Sequence, residues 1–86
     1  MSIYRLDPID PGHPSWKNSD EKDTVWAGAP TPQDARDLVA AKTALGGPGA
    51  ESPWRNERVT SCALEPTMWQ VSAGTVVRED GSRVGR

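Results

Sequence analysis

The residues best equipped for chemistry lie close together near the start of the chain: Asp7, Asp10, His13 and Ser15. Two carboxylates and an imidazole in one turn-rich segment could ligate a divalent metal or move a proton. Yet each Asp precedes a proline, in Asp7-Pro8 and Asp10-Pro11, which is ordinary turn chemistry. The lone His also has no second His or Cys to complete a site. These four are read as turn residues. Cys62 is the sole cysteine, so one chain can form neither an internal disulfide nor a cysteine-based zinc cluster. Its only candidate base, His13, is far away in sequence, and Cys62 is expected as a small core residue on the inward face of a strand. Gly46-Gly47-Pro48-Gly49 follows a helix instead of preceding one and lacks a Lys-Ser/Thr pair, so it makes no phosphate cradle. No catalytic residue, cofactor or metal ligand is assigned.

A second group of residues is suited to contact instead of catalysis. Pro14-Ser15-Trp16-Lys17-Asn18 echoes Ser52-Pro53-Trp54-Arg55-Asn56: each has a Trp behind Ser and Pro, followed by a base and an Asn. The first reading is that each indole folds back to plug one side of a small core, because exposed Trp is uncommon. The second makes Trp16, Lys17, Trp54, Arg55 and Arg58 a surface of aromatics with adjacent cations, able to grip a protein or stack bases.

The elements that would position these residues centre on one helix, spanning 31–45. Thr31-Pro32-Gln33-Asp34 is a start signal: a hydroxyl to cap an orphan amide, a proline where no donor is needed, and an acid in the first turn. Ala35, Leu38, Val39, Lys42 and Leu45 then recur at spacings of three and four. Gly46-Gly47-Pro48 stops the run, with glycine expected in the left-handed cap. Gln33, Asp34, Arg36, Asp37 and Lys42 describe a solvated face, while Arg36, Ala40 and Ala44 form a small-residue flank. Around the helix, strands are expected at 3–6, 23–29, 59–64 and, less regularly, 68–77. In the second, Val25, Ala27 and Ala29 share one face. In the third, Thr60, Cys62 and Leu64 do. Residues 78–86 are polar and read as a flexible tail.

The chain has 86 residues, enough for one domain, and burial of about 60–65% of its unfolded surface leaves only modest stability. With 4 Trp and no Phe, most bulky apolar surface resides in a few indoles, each burying roughly 150–250 Å². A formal charge of −2 with interspersed signs argues against affinity built on neutralising many phosphates. The start is too polar for a signal peptide and no apolar run approaches ~18 residues, so a cytoplasmic protein without membrane contact is expected.

Several motifs together resemble those of a group of small uncharacterised bacterial proteins. They are Tyr4-Arg5-Leu6-Asp7-Pro8-Ile9-Asp10-Pro11, His13-Pro14-Ser15-Trp16-Lys17, Val25-Trp26-Ala27, the run from Ala35 to Thr43, Ser52-Pro53-Trp54 and Val59-Thr60-Ser61-Cys62. The similarity covers about residues 3–65 and implies a shared small fold, with no activity attached.

The sequence therefore predicts a single small α+β domain over residues 1–77: an antiparallel sheet of three to four strands with one amphipathic helix packed on it, in the order β-β-α-β and a further β. The expected role is a non-catalytic protein-interaction or self-association module, with a protein partner or a second copy. A small nucleic-acid-binding module using the loop Trp residues and their basic neighbours ranks second.

Overall fold

The computed structural model describes residues 2–47, 49–67 and 71–85. Strands β1 (Ser2–Pro8), β2 (Val25–Ala29), β3 (Thr60–Leu64) and β4 (Val76–Arg78) form one antiparallel sheet in the order β3-β1-β2-β4, and helix α1 (Pro32–Thr43) packs across it. The α+β architecture expected from the sequence is thus the one observed. β1 lies inside the sheet, pairing Tyr4 with both Ala27 and Leu64. No helix of the described residues is long and apolar enough to cross a membrane.

The helix begins as its sequence dictates. Thr31 Oγ1 accepts a hydrogen bond from the Asp34 amide at 3.1 Å, and Pro32 opens the first turn. Ala35, Val39 and Thr43, one turn apart, are buried together with Arg36 and Ala40. The small side chains let α1 lie close over Ala27 and Ala29 of β2. Its end differs from expectation. The helix stops at Thr43, and Ala44 is extended rather than handing over to a left-handed Gly46. The chain is captured by the segment after Trp16: the Asp20 amide donates to Thr43 O and the Leu45 amide to Asn18 O. Leu45 consequently leaves the apolar stripe and is exposed.

Strand alternation divides the sheet into two faces. Tyr4, Leu6, Val25, Ala27 and Ala29 point toward α1 and join Trp16, Trp54, Val59, Val76 and Val84 in the main core. On the opposite face Trp26, Val71 and Val77 form a thinner cluster flanked by Ile3. Val76–Arg78 realises only the end of the expected fourth strand; Met68, Trp69 and Gln70 lie outside the described residues. The sequence stretch read as a tail is built into the fold. After a turn at Asp80 and Gly81 it returns beside β4, the Val84 amide bonding Val76 O at 2.8 Å, and Val84 is buried. Gly85 then meets the end of α1 with φ +82, and a Cβ there would sit 2.6 Å from Lys42 Cβ.

Candidate interaction site

The two Ser/Pro/Trp segments fold alike, each as a 3₁₀ turn, Pro14–Asn18 and Pro53–Arg55. His13 Nδ1 accepts from the Ser15 amide and Ser52 Oγ from the Trp54 amide, so each turn carries its own N-cap. Their indoles meet edge to face, centroids 5.1 Å apart at 84°. Trp16 Nε1 donates to Asp10 O and Trp54 Nε1 to Ser19 Oγ, both at 2.8 Å. Trp16 and Trp54 are therefore core plugs, and the expectation that they share a contact surface with Lys17, Arg55 and Arg58 is corrected: their rings are buried. The three basic residues are exposed, but Arg55 is spent on Asp37, Nε to Oδ1 at 3.0 Å. Among the described residues no exposed aromatic ring offers them a platform.

The Asp7, Asp10, His13 and Ser15 group has structural duties. Asp7 Oδ1 accepts from Thr24 Oγ1 at 2.6 Å and its carboxylate pairs with Arg5. The carbonyl of Asp10 accepts from the His13 amide and from Trp16 Nε1. His13 Nδ1 lies 2.7 Å from Ser15 Oγ, the spacing of a nucleophile and its base, but that nitrogen is already capping a turn and Ser15 is buried. Among the described residues no group of three His, Cys, Asp or Glu could hold a metal ion.

A groove of about 400 Å³ is lined by Glu21, Asp23, Thr24, Arg78, Glu79 and Asp80. Several of its polar groups are already engaged. Arg78 bridges to Glu21 at 3.0 Å, and Ser82 bonds the exposed Asp80 carboxyl through both hydroxyl and amide, holding it below the usual carboxylate range.

The edge of β3 away from β1, which pairs with no other strand of the described residues, stands apart. At its two ends the Glu65 amide donates to Ile3 O and the Ile9 amide to Val59 O, each at 2.8 Å. With Arg5 opposite Ala63 and Asp7 opposite Ser61, the odd-numbered residues of β3 turn their backbone groups to β1. Thr60, Cys62 and Leu64 therefore aim theirs outward. Thr60 is already satisfied, its amide by Asn56 O and its carbonyl by Arg36 Nη1 at 2.9 Å. Cys62 and Leu64 have no backbone partner on that side among the described residues. The strand Thr60-Ser61-Cys62-Ala63-Leu64 carries no charge and no proline, and the Leu64 side chain is 62% exposed. The opposite edge of the sheet, β4, is covered by residues 82–84.

Arg36 commands this edge. The helical pattern puts it on a solvated face, but the structure buries it at 7% exposure between α1, β3 and the turn at Trp54. One nitrogen reaches two carbonyls, Trp54 O at 3.1 Å and Thr60 O at 2.9 Å. Cys62 lies within its field. Half-burial pushes that thiol above its ordinary value, and the Arg36 charge pulls weakly against the rise. No family model, no curated protein and no solved structure matches this chain, so the motif resemblance carries no family assignment.

Proposed function

We propose that the chain is a non-catalytic protein-interaction module that adds a strand from another polypeptide to the edge of β3. The observation that carries this reading is an uncharged strand at the end of the sheet whose Cys62 and Leu64 backbone groups lack partners among the described residues. Natural sheets guard such edges with charge, proline, bulges or cover, because an open ladder invites pairing. Main-chain bonds would give the affinity and side chains beside Leu64 the selectivity. A second copy of the chain supplying its own β3 is one form of the same activity. The nucleic-acid reading has less support, since the two indoles it needs are buried.

Leu64→Pro tests the proposal cleanly. It removes an outward amide and leaves the bonds to β1 in place, which proline tolerates on an edge strand. Wild-type protein is expected to bind a subset of a synthetic heptapeptide array, and the variant none of it. Equal binding by the two proteins would remove the β3 edge from consideration.

A further inference from the structure

Resting on that reading, the geometry points to the class of ligand: we infer that β3 takes the C-terminal residues of a partner polypeptide, antiparallel, with the terminal carboxylate held by Arg36. Arg36 is more than nine-tenths buried, yet no Asp or Glu pairs with it among the described residues. Its two bonds both leave from Nη1 and both go to neutral carbonyls. Nε and Nη2 have no acceptor among the described residues. Trp26 Nε1 is the one enclosed side-chain polar atom there without a partner, so those two nitrogens keep an edge toward solvent. A largely desolvated guanidinium with two donor nitrogens to spare is suited to a carboxylate, which it can grip with a planar fork.

The ladder explains why the carboxylate belongs to a chain end. Every strand pair in the sheet is antiparallel, and a fifth strand laid on β3 in the same sense runs from Leu64 toward Thr60. It can bond Leu64 and Cys62. At Thr60 both the amide and the carbonyl are already committed, and Arg36 Nη1 occupies the place where the next added amide would donate. Pairing therefore stops beside the guanidinium, where the last residue of an incoming chain ends. A terminal carboxylate meets the charge, whereas an amidated or continuing chain brings a dipole only.

The test uses the 86-residue chain and two heptapeptide arrays of identical sequences fixed through their N-termini, one with free carboxyl ends and one amidated. Free acids are expected to bind about ten- to a hundredfold more tightly than their amides, the range of a charge-assisted hydrogen-bonded pair. Arg36→Lys keeps the cation but loses the fork and is expected to shrink that ratio toward one, with near-ultraviolet dichroism of the buried Trp16–Trp54 pair reporting that it folds. Should Arg36→Lys not fold, the acid-to-amide ratio of the wild type decides alone. Equal binding to the two arrays, abolished by Leu64→Pro, overturns carboxylate capture and leaves strand addition standing. Binding that prefers acids but ignores Leu64→Pro overturns the alignment on β3. No binding to either array overturns both.

Discussion

The two faces of the sheet are built from the same bulky residue to different standards. Under α1, the indole N–H groups of Trp16 and Trp54 each find an acceptor at 2.8 Å, and the rings pack edge to face. On the opposite face Trp26 is also buried, with Val71, Val77 and Ile3 around it and the Arg5 guanidinium 5.5 Å over its ring, but its N–H has no acceptor among the described residues. A buried donor left unmade costs more than a made bond returns. Among the described residues the helical face therefore satisfies its indoles more completely than the other face does. Three substitutions break or sharpen that contrast.

Trp54→Ala is the most damaging. It empties the largest fully buried side chain and removes the indole bond to Ser19 Oγ, for a loss of about 3–5 kcal/mol. That is much of the total expected of a domain this size, so chemical denaturation should find the variant largely unfolded. Ser19→Ala removes no volume of consequence but deprives Trp54 Nε1 of its acceptor; a loss of about 1–3 kcal/mol, obtained from the midpoint and slope of urea unfolding, is expected. Trp26→Phe is the mildest. It discards a donor that bonds none of the described residues and gives up some packing, two opposed effects that leave stability within about 1 kcal/mol of wild type. A loss at Trp26→Phe as large as at Trp54→Ala would erase the distinction between the faces.

Much of this architecture is legible in the chain itself. The Thr31 cap, the alternation of Val25, Ala27 and Ala29, and the α+β order follow from local chemistry that tertiary contacts do not override. The echo around Trp16 and Trp54 has a structural counterpart: each segment opens with a capping side chain and a proline and forms a 3₁₀ turn, although the turns differ in length and place their indoles one position apart. What escapes sequence reading depends on distant partners. Arg36 looks solvated until Trp54 O and Thr60 O are brought to it from 18 and 24 positions along the chain. Val84 looks like tail until β4 offers it a ladder. The candidate site was missed for the same reason: an edge exists only once strand order is known, and the pattern of residues 59–64 does not say which neighbour is absent.

The placement of β1 between β2 and β3 has a consequence for how the molecule assembles. Its hairpin-like partner β2 is near in sequence, but β3 arrives only after the helix and a long loop, so one flank of β1 stays unzipped until late. During that interval the first seven-residue strand is itself an open template. Refolding at high concentration thus exposes the chain to swapping, in which β3 of one copy completes the sheet of another.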